Sequence, residues 1–398
     1  MIGALAGGGL LAAWSVMPRR FPLPLAPAEG ETAYNAWLRI GHDGTVTLAV
    51  PQLEMGQGVF TLLAQIAALE LGAAWHQVEV EPAPLSGAYA NVPLAARWSE
   101  LWLPLGTRLG TGGGRAGGES RIARGWAERH RFTATADGTA LAAYEQPLRE
   151  AACAVRTLLM QAAADRWDVD WQACTVAAGV VSHGPRRARF AELAEDAARY
   201  DPPDPLPLGP LPAEPPAGEA KAAPRFPRLD LPAKAEGRAV FAADVRLPGM
   251  VFAAIRHAPL GAEARLGRYD PARAGGAGVR LVRGERWLAA VGPTWWAAER
   301  ALAAVAPGFS VRAPVDSARI DAALDRAVKR APTHRIATVG DPEAQMGERP
   351  SLIARYDVAP GLHAGLETAS CTARLREGRL ELWLASQAPE AARRAAAA

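Results

Sequence analysis

Hydrophobic and polar positions first fall into a regular pattern at Trp37-Leu38-Arg39-Ile40 and Val46-Thr47-Leu48-Ala49-Val50. The two runs flank Gly41-His42-Asp43-Gly44, a turn signal that predicts a β-hairpin. A glycine-containing loop follows, from Leu53 to Gly58. Val59, Phe60, Leu62, Leu63, Ile66, Ala67 and Leu69 then recur at helical spacing up to Gly72, and Val78-Glu79-Val80-Glu81 alternates as a strand. This β–loop–α–β order predicts a mixed α/β, or α+β, fold. Farther on, Leu141, Tyr144, Leu148, Ala152, Val155 and Leu159 predict a long helix running to Trp167, with Pro147 kinking it or marking its first turn.

Breaks in the pattern set the domains. Residues 1–20 begin with an apolar run closed by Pro18-Arg19-Arg20, and 21–200 read as the first domain. Within it, 106–131 carry six Arg against two Glu, with seven Gly in the first thirteen positions, which predicts a mobile solvent-facing insertion. Residues 201–226 open with DPPDPLPLGPLPAEPP, an extended, stiff linker. A second domain is expected over 227–311, with strands at Ala239–Val245, Met250–Ile255 and Arg286–Val291 and a helix from Trp295 to Ala304. Residues 312–350 read as a polar connector with one short helical stripe. From 351 to 398 a further unit begins: Leu375 and Leu380, Leu382, Leu384 flank Glu377-Gly378 as a hairpin, and a helix starts at Glu390.

Composition narrows the function classes. Apolar residues are 49% of 398, and the formal charge of +3 gives no argument for nucleic acid. Cys153, Cys174 and Cys371 form no CxxC pair, so an iron–sulfur cluster or structural zinc on this chain is not expected. The run 1–16 would span about 24 Å as a helix, short of the ~30 Å hydrocarbon core, and suits a signal-type segment better than a membrane span. It lacks a preceding basic region, and its four Gly oppose the alternative of a buried helix. Export to, or tethering at, the periplasmic side of the inner membrane is the corresponding expectation.

Glu54-Met55-Gly56-Gln57-Gly58 is the strongest chemical signal. It lies between a strand and a helix, where glycines let backbone N–H groups approach an anion and the helix adds its positive end. Gln57 offers both donor and acceptor atoms to a ligand with a polar edge. On spacing alone a plain tight turn is the more economical reading. Gly112-Gly113-Gly114-Arg115-Ala116-Gly117 satisfies G-x-G-x-x-G but follows no clean strand, so a dinucleotide site is not expected there. P-loop, HExxH and GxSxG motifs are absent from the sequence, and the histidines are scattered singly. Arg108, Arg115, Arg121, Arg124, Arg129 and Arg131 read as a solvated arm, with anionic lipid as the lesser alternative.

Four stretches together carry a family resemblance. VTLAVPQLEMGQGVFTLLAQIAALEL is similar to the strand–EMGQG–helix segment of molybdopterin-binding large subunits of the xanthine dehydrogenase/aldehyde oxidase family. The segment order is that of isoquinoline 1-oxidoreductase β-subunits and related aldehyde dehydrogenases. FTATADGTALAAYEQPLREAACAVRTLL resembles the loop-plus-helix that sets small residues beside the cofactor. FPRLDLPAKAEGRAVFAADVRLPGMVFAAIRHAPL resembles the start of an α/β hammerhead domain, and GLHAGLETASCTARLREGRLELWLASQAPEAARRAAA the opening of a further cofactor-binding domain. The resemblance covers about two-thirds of the chain, in consistent order.

Carried over position by position, the resemblance implies cofactor contacts at Gly56, Gln57, Gly58, Thr135 and Ala136. Near His363 only that residue and Glu367 are kept, and His363 reads as structural. The GGGFG loop and the catalytic glutamate that relatives carry do not occur in this sequence, so no catalytic residue is assigned and a fragment or split product is expected. The implied activity is that of a molybdenum hydroxylase that oxidises aldehydes or hydroxylates N-heteroaromatics with water as oxygen source. It would share molybdopterin with a C-terminal continuation of the large subunit. Electrons would pass to a small [2Fe–2S] subunit, with a cytochrome as a candidate further partner. An inactive fragment or scaffold is the alternative.

Overall fold

A strand covered on both faces reads as a continuous buried run, and Val46–Val50 (β3) is buried at every position. Preceding it are β1 (Glu31–Ala33) and β2 (Leu38–Gly41), both antiparallel to their neighbours, with Leu38 opposite Leu48. The chain then forms helix α1 (Val59–Leu71) and returns as β4 (Val78–Pro82), parallel to β3 with Val46 opposite Val78. The sheet order is β1-β2-β3-β4, so the expected hairpin and β–loop–α–β unit are both present. The fold is mixed α+β, with no closed barrel among the described residues.

The computed structural model describes residues 21–103, 121–210, 226–259, 261–330, 351–359 and 367–398, with 340–341, 344–345, 361 and 364–365. The expected signal-type run 1–20 and His363 lie outside the described residues. Among the described residues no helix is long and apolar enough to cross a membrane.

Beyond β4 come α2 (Val92–Arg97), α3 (Arg121–Arg129) and the long α4 (Ala140–Trp167). Of the predicted α4 stripe, Tyr144, Leu148, Ala152, Val155 and Leu159 are buried, whereas Leu141 is exposed. The helix runs through Pro147, which sits on its solvent side. Residues 121–129 correct the expectation of a mobile insertion at its C-terminal end. Ala123 and Ala127 lie one turn apart and pack with Val92 and Ala95 of α2. Trp126 stacks on Trp102 at 4.4 Å and on His130 at 4.7 Å. A small sheet, β5 (Thr175–Ala177), β6 (Val180–His183) and β7 (Arg186–Arg189), precedes α5 (Phe190–Ala197).

The chain divides into two compact units, the first reaching Val245 and resuming at Glu367, the second spanning Arg246–Leu366. That differs from the expected 227–311. Ala239–Val245 is not a strand, since Ala242–Asp244 forms a 3-10 turn. In the second unit β8 (Phe252–His257), β9 (Ala262–Leu266), β10 (Arg280–Arg283) and β11 (Trp287–Gly292) lead to helix α6 (Trp295–Val305) and β12 (Phe309–Arg312). Strands order as β10-β11-β8 and β12-β9. Thr294 caps α6 through a 3.1 Å bond from the Ala297 N–H. Leu288, Ala290, Ala298, Leu302 and Val305 make this unit's core. Helix α7 (Ser317–Lys329) occupies the expected polar connector.

Back in the first unit, β13 (Cys371–Arg376) and β14 (Arg379–Leu384) form the predicted hairpin, and α8 spans Pro389–Ala397. They pack within the first unit rather than opening a third. The Thr135 N–H donates to the Gln387 carbonyl and Gln387 Nε2 donates to the Thr135 carbonyl, both at 2.8 Å.

Candidate cofactor-binding loop

The loop before α1 needs two residues in left-handed conformation, and glycine supplies both: Gly56 has φ +100° and Gly58 has φ +85°. No atom lies within 4 Å of where a Cβ would stand at either glycine, so that side of the loop is open. Three of the N–H groups that such a loop could present to an anion are already engaged. Glu54 Oε1 accepts from Gly56 N at 2.7 Å and Gly58 N at 3.0 Å, and Oε2 accepts from Phe60 N at 3.1 Å. The carboxylate therefore sits where the positive end of α1 favours negative charge. Arg228 adds a 3.3 Å ion pair to Glu54 and a 2.9 Å bond to the Gly56 carbonyl. The bidentate Arg228 guanidinium and Lys234 hold the Asp230 carboxyl down at about 2.

This arrangement corrects the expectation that Gly56 and Gly58 present their amides to an anionic ligand. A second anion beside Glu54 would meet like charge and no free donor at those positions. Gln57 is exposed but partly engaged with its own loop: Nε2 donates to the Leu53 carbonyl at 2.7 Å and Oε1 accepts from Met55 N at 2.6 Å. A primary amide has two donors and two lone pairs, so Gln57 keeps one of each. The free donor and acceptor of Gln57 thus suit the polar edge of a ring.

Thr135 and Ala136 are placed next to this loop by the segment before α4. The Thr135 hydroxyl accepts from Leu53 N at 2.9 Å, and its N–H and carbonyl are both bonded to Gln387. Its N–H and carbonyl are committed to the fold, while its hydroxyl accepts one bond and keeps its proton to donate. The Ala136 carbonyl accepts from the Thr139 hydroxyl at 3.0 Å. Gln57 and Thr135 are therefore the expected contact residues whose side chains retain hydrogen-bonding capacity.

Three side chains that periodicity did not single out organise the site. Buried Asn91 bonds Leu94 N, the Ala134 carbonyl at 3.0 Å and the Thr139 hydroxyl at 2.9 Å, tying α2 to the 133–139 segment. Buried Gln52 donates through Nε2 to the Thr133 carbonyl and to Tyr144 Oη, both at 3.2 Å. Tyr144 Oη in turn donates to the Tyr89 carbonyl, and burial pushes its phenol pKa up, so it stays a donor at neutral pH. Gln387 closes the arrangement from the C-terminal side. A polar residue directly after the Val46–Val50 run was the available sign for Gln52, and Asn91 two residues before Pro93 carries a helix-start signal, whereas nothing local marks Gln387.

Against known families, residues 6–94 match the model of a molybdopterin cofactor-binding domain. The span contains the whole of β1 to β4 and the Glu54–Gly58 loop. The chain is similar to the N-terminal portion of molybdopterin-binding large subunits of the xanthine dehydrogenase/aldehyde oxidase family. It is 29% identical over 265 residues to the isoquinoline 1-oxidoreductase subunit beta of Brevundimonas diminuta, covering 59% of this chain and 29% of that protein. It is 24% identical over 238 residues to a membrane-bound aldehyde dehydrogenase [pyrroloquinoline-quinone] of Gluconacetobacter polyoxogenes, covering 58% of this chain and 25% of that protein. The chain thus spans under a third of the length of either relative.

Proposed function

We propose that this chain supplies one wall of a molybdopterin site in a molybdenum hydroxylase that oxidises aldehydes or hydroxylates N-heteroaromatics. The observation that carries the reading is the molybdopterin-domain match over 6–94 together with an open, glycine-flanked Gln57 that keeps one donor and one acceptor. When bound, the cofactor would supply two-electron redox chemistry with water as the oxygen source. Gln57 would hold the pterin's polar edge. Glu54 and Arg228 would keep the loop in shape, and Asn91 and Gln52 would fix the 133–139 segment beside it.

The remainder of such a large subunit, on the same or another polypeptide, would complete the pocket and bring the catalytic base. A small [2Fe–2S] subunit would take the electrons, with a cytochrome as a further acceptor. The second unit would serve as the hammerhead domain that the resemblance implies. The apolar run 1–16 ahead of Arg19-Arg20 supports placement at the periplasmic side of the inner membrane.

The test is pterin retention. Co-produced with the rest of the large subunit and the small subunit, the purified assembly should carry pterin, measured as its fluorescent oxidation product. Gln57→Ala should lower retention about ten-fold, as loss of one partly buried hydrogen bond implies. Full retention in Gln57→Ala would remove Gln57 from the site, and an assembly without pterin would overturn the function.

A further inference from the structure

Residues 351–358 of the second unit expose large apolar side chains that the described chain leaves uncovered. Leu352 is 82% exposed, Ile353 83%, and Tyr356 and Val358 89% each. Contiguous exposure of this kind marks a surface on which something docks. The pattern is that of a strand, with Leu352, Ala354, Tyr356 and Val358 alternating with Ile353, Arg355 and Asp357. Arg355 Nε and Nη2 both bond Asp357 Oδ1, at 2.9 and 2.6 Å. A contact at a spacing of two is what extended backbone gives, because alternate side chains share a face. Yet the segment belongs to no sheet, and none of its backbone N–H or carbonyl groups bonds a described residue. It has the pattern of a strand and no ladder.

The charges of the segment are complementary to themselves in one register. Arg355 Nη2 also bonds Asp325 on α7 at 2.7 Å, and the same helix leaves Leu324 and Val328 exposed. After these bonds Arg355 keeps Nη1 and Asp357 keeps Oδ2, neither with a partner among the described residues. One unused donor and one unused acceptor thus stand two positions apart. Laid antiparallel on itself about Tyr356, the segment sets Arg355 of each copy opposite Asp357 of the other. The same register sets Tyr356 opposite Tyr356 and Ala354 opposite Val358, and directly opposed unlike charges and aromatic rings stabilise a strand pair. Other registers lack this. Centring the pair on Arg355 brings Arg355 against Arg355, and parallel strands in step do the same.

We propose that residues 351–358 form an antiparallel β-ladder with the same segment of a second copy of this chain, centred on Tyr356. Strand addition satisfies the open backbone groups and covers the apolar side chains in one step. The contact is isologous: both copies use the same patch, related by a two-fold axis through Tyr356. The pairing stands on this segment alone, and its failure leaves the cofactor reading above untouched.

Sedimentation equilibrium of the full chain is the test. The native chain should pass from monomer to dimer at about 10–100 μM, the weak range suited to one short ladder. Arg355→Asp and Asp357→Arg each put like charges opposite each other in both cross-strand pairs, at side chains that are 49% and 69% exposed and so tolerate the change. Each variant alone should stay monomeric over that range. Mixed in equal amounts, the two restore unlike charges at both pairs, and a heterodimer should return. Amide exchange in 351–358 should slow as the native chain is concentrated and in the mixture, but not in either variant alone. A native chain that stays monomeric, a dimer that either variant leaves intact, or a mixture that fails to pair would each overturn the proposal. So would protection of 351–358 that is independent of concentration, because another part of the same chain would then cover the segment.

Discussion

At the scale of single residues, Glu54 is the side chain whose role the structure changes most. Its place in the motif suggested a loop that offers amides to a ligand, yet its own carboxylate collects three of them and is 6% exposed. It acts as an internal anion at the start of α1, a helix that has no acidic residue in its first turn. Arg228 supplies the counter-charge from 174 positions away. Glu54→Gln keeps the shape and removes the charge. It should destabilise the first unit by about 1–3 kcal/mol, the range for a hydrogen-bonded buried charge. Urea unfolding followed by tryptophan fluorescence measures it, and a midpoint equal to the native one would show that the loop holds without this charge.

Among the elements, the Pro-rich stretch read as a stiff linker is partly a docked strap. Glu70 lies on α1 and is 5% exposed. It is paired with Arg149 at 3.0 Å and Arg156 at 2.8 Å, both on α4, and it accepts from Gly209 N at 2.8 Å. The two arginines also donate to the carbonyls of Gly209 and Pro207. Breaking a buried ionic cluster from one side leaves uncompensated charge and costs about 3–5 kcal/mol. Glu70→Ala should therefore lower the melting temperature and open residues 201–210 to limited proteolysis. A variant that melts normally and resists cleavage there would show the strap to be held by something else.

The same helix shows what sequence pattern can and cannot reveal. Its existence and its ends, between Gly58 and Gly72, were legible because glycine in left-handed conformation punctuates both. Its buried face was not. Leu62 and Leu69 fit the stripe yet are 37% and 42% exposed, while Thr61 and Glu70 are buried. Burial of a glutamate depends on arginines 79 and 86 residues away, and no local window contains that information. Helix α3 was missed for a related reason: alanines one turn apart carry its packing, in a segment whose arginines and glycines dominate the composition. In the candidate site, the motif residues were named from resemblance, whereas Gln52, Asn91 and Gln387 act through contacts that only the fold creates.

For the whole molecule, the order of segments was legible and the unit boundaries were not. Residues 367–398 return to the first unit, bound there by the reciprocal Thr135–Gln387 hydrogen bonds, which span 252 positions. The two units also differ in how they are stabilised. The first has an extended core built on β2, β3, α1, α4 and α5, anchored by large side chains such as Tyr89, Tyr144 and Phe190. The second rests on one helix, α6, against β8 and β11, with a core of small residues around Leu288, Leu302 and Val305. A small apolar core leaves little margin against conformational entropy, so one deletion in it weighs heavily. Leu302 is fully buried, and Leu302→Ala should cost about 2–5 kcal/mol. Because the cores are separate, the loss should fall on one unit. Amide hydrogen exchange on the intact chain is the measurement. Protection should collapse in β8, β11 and α6 while β3, α1 and α4 exchange as in the native protein. Equal loss of protection in both sets would mean that the two units unfold as a single cooperative body.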